Sequence, residues 1–447
     1  MVQNFRLITT HDFFGSFAVV PTSYGSLPGG EALRATVNEL RSGRSALWLD
    51  SGDFSQGGAL TVATGGVGGL LAAQELGIDA SVVGNHDLDF GSEFLHRHIE
   101  ILGFPVLSAN VELGLPATAM LSTDDGAVGI IGLTHHNLAS MGSWSVRPDR
   151  LMPTTNEGKS FDVAGAAARL RQDGASIVVC VCHDGVDWSF VPTNQYLADP
   201  SAFFSRCRPW HDSVDLIIAG HTLGRFFGHL GKTPVVQPWP LGSELAIVDI
   251  EVSKGGMRLN TSSQLVSASG PQWGGHGSNV VHAAETEILG ELGTPLFARS
   301  HGPAPLAAFL ARAVYAASGG SEVAFAYTTC GQPTLDGVFS WLGAGPVSRL
   351  QLLQIVPYSD FSIVTAEVSR EELDELRLLT MPRPQDRTTG WGSFGSPIRK
   401  AEAVRIAALS GAAEDLFSKL LNRELDWAET GGTLDAGVRE VLAANII

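Results

Sequence analysis

Five short apolar runs in the first half of the chain are each followed by a side chain of a type that binds metal ions. These side chains are two carboxylates, one amide and two imidazoles, namely Asp12, Asp53, Asn85, His183 and His221. One aspartate after a strand is usually a helix cap or a turn residue. Five such positions in succession are not explained in that way. Together they form a mixed oxygen and nitrogen donor set for a divalent ion such as Mn²⁺, Fe²⁺ or Zn²⁺.

The apolar runs that position these side chains predict buried β-strands. They are four to six residues long and cover residues 5–10, 45–49, 80–83, 129–133, 177–181 and 216–219. Helical stretches separate them, at residues 30–41, 66–76, 93–102 and 162–172. Strands that alternate with helices predict an α/β fold with helices on the sheet faces. In such folds, ligand sites lie beyond the carboxyl ends of the strands, where the five side chains are found.

The rest of the chain predicts a hairpin and a second domain. The hairpin surrounds residues 254–256, a helix is expected at residues 282–292, and the domains are expected at residues 1–295 and 296–447. The second domain should contain strands near residues 323–327 and 361–367 and helices at residues 304–317, 369–380, 413–422 and 435–444. The helix at residues 369–380 starts with the pattern of a capping box, Ser369 to Glu372. Residues 388–397 are expected to form a loop.

Composition excludes several classes of partner. The 447 residues carry a formal net charge of −17 and contain no basic tract, so duplex nucleic acid and anionic membranes are not expected partners. No apolar run reaches the ~18–20 residues of a membrane-spanning helix, and the first residues lack the pattern of a signal peptide. The four cysteines have no disulfide-framework spacing, which is typical of a reduced, cytoplasmic protein.

In their order along the chain, the polar motifs resemble those of the calcineurin-like metallophosphoesterases, and most closely the 5′-nucleotidase branch. The matching segments are THDFFG (10–15), LDSGD (49–53), VGNHDLDFG (83–91), FPVLSANV (104–111), the strand end at His183, and DLIIAGH (215–221). Weaker matches in the second half are EVAF (322–325), GPVS (345–348) and VPYSD (356–360). The resemblance implies a β-sandwich of two mixed sheets flanked by helices, with a dimetal centre at the strand ends. It also implies a C-terminal α+β domain that binds the substrate's nucleoside end and rotates relative to the metal domain.

The resemblance assigns ligands to each of two metal ions. One ion would take Asp53, Asn85, His183 and His221, all of which are present. The other would take Asp12, the shared Asp53, a histidine two residues after Asp12 and a residue two after His221.

At the last two of those positions this chain has Phe14 and Leu223, so we expect one bound divalent ion and a second that is weak or absent. His11 could replace a lost ligand, but alternation along a strand is expected to point it away from Asp12. His135 and His136, on a nearby loop, are another source of ligands.

For catalysis, the resemblance places His86 beside the developing charge or the leaving group, with Asp87 expected to orient its ring. Asp12 would orient water or act as a base. Three aromatic side chains are candidates for substrate binding: Tyr358, Trp391 and Phe394. For Trp391 and Phe394, packing against the local core is an equal alternative.

Three functions remain open at this point. The first is a phosphoesterase with one metal ion, acting on a nucleotide-like or other small phosphate ester. The second is an enzyme of different chemistry on the same scaffold, and the third is a pseudoenzyme that binds a ligand without catalysis. The segment YTTCGQ (327–332) lacks the arginine that the family places near the phosphate. The expected partner is a small-molecule substrate, and the sequence leaves the oligomeric state open.

Overall fold

A computed structural model gives the structure of the chain. It describes residues 2–22, 25–55, 57–136, 138, 161–190, 196–297, 305–327, 341–356, 361–378, 391–395, 403–410, 416–418 and 420–444. The elements below are numbered in chain order.

The strands are β1 (Gln3–Thr10), β2 (Val20–Thr22), β3 (Gly25–Leu27), β4 (Ala46–Asp50), β5 (Ala80–Val82), β6 (Val106–Leu107), β7 (Thr118–Thr123), β8 (Gly126–Leu133), β9 (Ile177–Cys182), β10 (Asp187–Phe190), β11 (Tyr196–Asp199), β12 (Leu216–Ala219), β13 (Phe226–Leu230), β14 (Thr233–Gln237), β15 (Glu244–Ser253), β16 (Gly256–Leu265), β17 (Ile288–Leu292), β18 (Leu296–Phe297), β19 (Val323–Tyr327), β20 (Trp341–Leu342), β21 (Gly345–Ser348), β22 (Ser362–Ser369), β23 (Trp391–Gly395), β24 (Ala403–Leu409) and β25 (Ala428–Thr433). The α-helices are α1 (Gly29–Arg41), α2 (Ala59–Ala63), α3 (Val67–Leu76), α4 (Ser92–His98), α5 (Val163–Gln172), α6 (Ser201–Cys207), α7 (Ser278–Thr286), α8 (Pro305–Ala317), α9 (Arg349–Ile355), α10 (Arg370–Arg377) and α11 (Leu434–Ala443). Short 3₁₀ helices cover His86–Leu88, Ile99–Leu102 and His211–Ser213.

Two mixed six-stranded sheets form the first part of the chain. Their strand orders are β16-β15-β1-β4-β5-β6 and β13-β14-β12-β9-β8-β7. In the first sheet β1, β4, β5 and β6 run parallel, and in the second sheet β8, β9, β12 and β14 do. All six strands predicted from the apolar runs are confirmed, as is the hairpin of β15 and β16.

The two sheets face each other across a shared apolar core, and helices cover their outer faces. The central strands are therefore buried on both sides. Leu7 of β1 packs in a cluster with Val179 of β9, whereas the next residue, Ile8, packs in another cluster with Leu33 of α1. Because side chains alternate along a strand, one strand contributes to the inner and to the outer layer. Helix α5 covers the outer face of the second sheet through residues such as Leu170. The predicted β-sandwich with flanking helices is confirmed.

The second part of the chain contains a five-stranded sheet of order β23-β19-β24-β22-β25. The apolar helix α8 packs against β19 and β23, and α11 packs against α8. Helix α10 begins with the predicted capping box: Ser369 Oγ accepts from the backbone N–H of Glu372, whose carboxylate accepts from the backbone N–H of Ser369. The C-terminal α+β arrangement is confirmed.

Two local predictions were wrong. The helix expected at residues 282–292 ends at Thr286, and residues 288–292 form β17, because Glu287 leaves the helical conformation and the following backbone pairs with β21. The loop expected at residues 388–397 contains strand β23, which pairs with β19. Gly395 permits this pairing, since a side chain there would collide with the backbone of Glu322 and Val323.

Three cysteines in the described part of the chain, Cys180, Cys182 and Cys207, are buried free thiols. They pack as small core residues around the second sheet, as expected. Among the described residues, no helix is both long enough and apolar enough to cross a membrane.

Candidate metal centre

Loops at the carboxyl ends of β1, β4, β5, β9 and β12 bring the five predicted side chains into one buried region between the two sheets. The loops interlock closely. Gly84 lies against Asp53, where any side chain would collide with the Asp53 carboxylate and backbone. A side chain at Gly52 would likewise place its Cβ 2.9 Å from His183 Nδ1. Glycine is therefore needed at both positions. Gly84 lets the loops after β4 and β5 meet at the edge of the first sheet, and Gly52 lets the first sheet approach His183 of the second.

Four of the predicted donors converge around the Nε2 atom of His183. That atom lies 3.0 Å from Asn85 Oδ1, 3.2 Å from Asp53 Oδ2 and 3.2 Å from His221 Nδ1. His183 Nδ1 donates a hydrogen bond to the carbonyl of Ser51 at 2.7 Å. A histidine that donates from one ring nitrogen presents the lone pair of the other, which is the usual arrangement of a metal-binding histidine.

The donor set fits a divalent cation. Asp53 Oδ2 is buried and accepts no hydrogen bond from the described residues, and the same is true of Asp12 Oδ1. A buried carboxylate oxygen without a donor is costly unless a cation satisfies it. Two imidazole nitrogens, a carboxylate and an amide oxygen suit Mn²⁺, Fe²⁺ or Zn²⁺.

The electrostatics of Asp53 and His221 suit a cation at this point. Burial would lower the pKa of His183, but the Asp53 carboxylate raises it to about 10, so a bound cation would displace a proton from that ring. Burial alone would raise the pKa of Asp53, but His183 and His86 outweigh it and hold that pKa well below its usual range. Burial and the neighbouring His183 lower the pKa of His221 to about 4, so its imidazole is neutral at physiological pH. An ionised carboxylate beside a neutral imidazole is the protonation state that metal binding requires.

His86 lies beside this centre, and its partner differs from the expected one. Its backbone N–H donates to Asp53 Oδ1 at 2.7 Å, and its ring Nδ1 lies 3.1 Å from Asp89 Oδ2. Asp87, expected to orient the ring, instead accepts hydrogen bonds from the backbone N–H groups of Asp53, Phe54 and Gly84.

The 3₁₀ turn explains this exchange of roles, because it places residues 86 and 89 on the same side. Burial would lower the pKa of His86, but the carboxylates of Asp89 and Asp53 raise it to about 9. Burial, followed by the charge of Asp53, raises the pKa of Asp87 to about 7.

Asp12 is held by its neighbour His11, contrary to the expectation from the sequence. His11 Nδ1 lies 2.6 Å from Asp12 Oδ2, and His11 Nε2 lies 2.5 Å from the carbonyl of Pro238. The expectation that His11 points away was wrong, because both residues follow the end of β1 and Asp12 has a positive φ of 47°, so strand alternation no longer applies. The backbone N–H of His221 also donates to Asp12 Oδ2, at 2.6 Å.

Apolar side chains fill the positions where the resemblance implies further ligands. Phe14 and Leu223 are each 5% exposed, and both have left-handed backbones, with φ of 50° and 54°. Such a conformation is unusual for a bulky apolar residue. It is stabilised at Phe14 by a hydrogen bond from its N–H to the Asp53 carbonyl at 2.9 Å.

A second group of polar side chains adjoins the centre. The ring of His135 lies 4.3 Å from that of His221, between centroids, and 4.3 Å from that of His136. His136 Nδ1 lies 3.1 Å from Asp184 Oδ2, and Arg206 forms two 2.7 Å hydrogen bonds with the same carboxylate. The sequence offers the histidine pair as candidate ligands, whereas no local pattern links Arg206 to Asp184.

Of the three expected substrate-binding side chains, the structure describes one, that of Phe394. Tyr358 and the side chain of Trp391 lie outside the described residues. Phe394 packs against α8, where its ring meets that of Tyr315 at 5.2 Å and Arg312 Cζ lies 4.8 Å from its centroid. These contacts correspond to the alternative of packing against the local core.

Comparison with known proteins gives related sequences but no matching protein-family model. A 5′-nucleotidase of Diplobatis ommata is 26% identical over 231 residues, which cover 47% of this chain and 36% of that protein. Endonuclease YhcR of Bacillus subtilis is 22% identical over 199 residues, or 40% of this chain and 16% of that protein. The chain therefore covers at most 36% of the length of these two relatives.

The fold has close counterparts among solved structures. A 5′-nucleotidase precursor of Thermus thermophilus superposes with a TM-score of 0.71 over 99% of this chain and 96% of that one, at 16% sequence identity. Such an identity supports a shared fold and no more. In sequence and in fold, the chain is therefore similar to the 5′-nucleotidase branch of the calcineurin-like metallophosphoesterases.

Proposed function

We propose that the protein is a hydrolase of small phosphate esters that works with a single divalent metal ion. The observation that carries the proposal is the convergence of Asn85, Asp53 and His221 within 3.2 Å of His183 Nε2, together with the bare oxygen of Asp53. The sequence relatives include 5′-nucleotidases, so we propose a nucleotide-like substrate. The buried free thiols suit the cytoplasmic location that we also propose.

The proposal of one ion depends on what surrounds Asp12. A second ion would need ligands at Phe14 and Leu223, whose side chains have no donor atoms. Asp12 also has one of its two carboxylate oxygens engaged by His11 and by the backbone of His221. Its other oxygen would hold the attacking water or a substrate hydroxyl.

The bound ion would supply a Lewis acid for a phosphate oxygen and lower the pKa of a coordinated water. Asp53, Asn85, His183 and His221 would hold it. His86, kept protonated by Asp89, would donate a proton to the leaving oxygen. Asp87 holds the loop between β4 and the 3₁₀ turn, and so positions His86 relative to Asp53.

A second candidate function is different hydrolytic chemistry on the same scaffold. It is favoured by Phe14 and Leu223, which place apolar surface where the resemblance implies a second cation. A less charged ester would fit such a surface better than a phosphate monoester. The third alternative, a ligand-binding pseudoenzyme, would retain the ion without turnover.

Metal analysis and a phosphate-release screen together test the proposal. We expect one ion per chain, release of phosphate from a nucleotide or sugar phosphate in the presence of Mn²⁺, and loss of both in His183→Ala. The exposed His229→Ala on β13 is the matched control. His86→Ala should retain the metal and lose ~10²–10⁴-fold in kcat. Hydrolysis of no phosphate ester would reject the proposal in favour of the two alternatives, and two ions per chain would reject the single-metal centre.

A further inference from the structure

A row of four imidazole rings leads from the metal centre to the protein surface. Successive ring centroids lie 5.0 Å apart between His183 and His221, 4.3 Å between His221 and His135, and 4.3 Å between His135 and His136. The first two members are metal-ligand candidates. The side chain of the last is 48% exposed. His136 therefore lies at the exposed end of this row, one ring beyond His135 and two rings from the candidate ligand His221.

His136 is held in place by a charged partner that is itself fully occupied. Asp184 accepts from His136 Nδ1, twice from Arg206, and from the backbone N–H of Gly185 at 2.9 Å. Each carboxylate oxygen thus accepts two hydrogen bonds, which fills its usual capacity. Asp184 has no lone pair left for a cation, in contrast to the bare oxygen of Asp53. The group is therefore unsuited to a second metal ion.

The charges of this group favour an anion instead. Asp184 and Arg206 compensate each other, so the group places no uncompensated negative charge beside His136, within a chain whose formal net charge is −17. The ring donates from Nδ1 to Asp184, which leaves Nε2 for a ligand. A histidine that donates from both ring nitrogens is a charged donor, which suits phosphate oxygens.

We propose that His136, positioned by Asp184 and Arg206, binds the phosphate oxygens of the substrate at the rim of the metal centre. This inference rests on the proposed function, because it takes the substrate to be a phosphate ester. It assigns to the first domain a phosphate contact that the sequence lacks at residues 327–332, where no arginine is present.

Binding of inorganic phosphate to the Mn²⁺-loaded protein tests the inference. Affinity is measured by titration calorimetry, and the metal content of each preparation is measured alongside. In His136→Gln we expect phosphate affinity to fall ~10- to 100-fold, the usual effect of losing a hydrogen bond to a charged group, with metal content unchanged. His136→Arg, which keeps a cationic donor, should retain near wild-type affinity. The control is His282→Gln, an exposed histidine 3.8 Å from Glu285.

The outcomes separate this inference from the proposed function. Unchanged phosphate affinity in His136→Gln overturns the inference, as does a wild-type protein that binds metal but no phosphate. A His136→Arg variant as weak as His136→Gln would overturn the role of a cationic donor. If phosphate binding depends on His136 but no ester is hydrolysed, the inference stands and the proposed hydrolase function fails. If esters are hydrolysed but His136→Gln binds phosphate as tightly as the wild type, the proposed function stands and the inference fails.

Discussion

The ring of Phe14 meets the ring of His86 edge-on, with centroids 5.4 Å apart and planes inclined by 74°. Phe14 stands where the resemblance implies a metal-binding histidine. The proposed proton donor therefore has an apolar neighbour where a dimetal enzyme would have a cation. A cation held there would lower the pKa of His86, so the apolar side chain at position 14 removes one influence against the protonated imidazole.

Replacing both apolar residues by ligands should create a second metal site. We expect Phe14→His combined with Leu223→His to raise the metal content from one ion per chain to two, because Asp12 and Asp53 then gain two imidazole partners. The measurement is plasma mass spectrometry after removal of free metal. An apolar exchange, Phe14→Leu with Leu223→Met, is the control and should bind one ion. A histidine variant that still binds one ion would show that the space around Asp12 is closed for other reasons.

The partner of His86 can be identified from the pH dependence of hydrolysis. The pKa of His86 is raised to about 9, so a proton donor at this position works below that pH and fails as pH rises through it. Asp89→Asn removes the largest of the raising influences, and we expect the alkaline limb of kcat/KM to move to lower pH. Asp87→Asn should leave the limb in place but lower the melting temperature, because Asp87 accepts three backbone hydrogen bonds. The opposite pattern would return the orienting role to Asp87.

His11 and Asp12 should be strongly coupled in the metal-free protein. Both side chains are fully buried, and His11 has an oxygen acceptor at each ring nitrogen. We expect His11→Gln and Asp12→Asn each to lower the free energy of unfolding by ~3 kcal/mol, the usual cost of breaking a buried pair.

The free energy of unfolding of the double variant should be no lower than that of the less stable single variant, because the second substitution removes a partner that is already lost. Urea unfolding of the four proteins gives the coupling energy. The exposed pair Glu93→Gln and Arg97→Gln, whose side chains are 74% and 70% exposed, serves as the control and should show additive effects. Additivity at His11 and Asp12 would mean that the two residues do not act as a pair.

Asp50 should make stability depend on pH. Burial raises its pKa to about 6 despite hydrogen bonds from Thr10, Gly52 and Ser81. A raised pKa stabilises the fold below the unfolded-state value of 3.8, and this contribution is lost as pH rises through about 6.

Asp50→Asn should therefore be more stable than the wild type at pH 8, by up to ~3 kcal/mol, and the difference should shrink at pH 4. Thermal unfolding at both pH values measures it. Glu251→Gln, at an exposed position of β15, should show no such change. An Asp50→Asn variant that is less stable than the wild type at pH 8 would indicate that the ionised carboxylate is needed by its three donors.

The meeting of the four candidate ligands could be predicted because each follows a buried strand. Asp53 and Asn85 follow two neighbouring parallel strands of one sheet, and His183 and His221 follow two of the other sheet. Because the carboxyl ends of parallel strands lie at the same edge of a sheet, these side chains are expected to lie close together. The capping box at Ser369 was equally local. In both cases the signal spans a few residues, and tertiary packing reinforces it.

The roles that depend on turn geometry could not be predicted in this way. Asp87 and Asp89 are equally plausible partners of His86 until the 3₁₀ turn is known. His11 turns towards Asp12 only because the backbone leaves the extended conformation at φ 47°. Arg206 reaches Asp184 across a separation of 22 residues, which no periodic pattern indicates.

Strand β17 has a mechanical consequence for any movement between the two parts of the chain. Its pairing with β21 ties it to the second part, and Glu287, just before it, is tied there too: its carbonyl accepts from the N–H of Arg349 at 2.9 Å and its carboxylate pairs with Arg439 at 2.5 Å. For a rotation of the kind that the resemblance implies, residues 287–292 would therefore move with the second part, although they precede the boundary expected at residue 295.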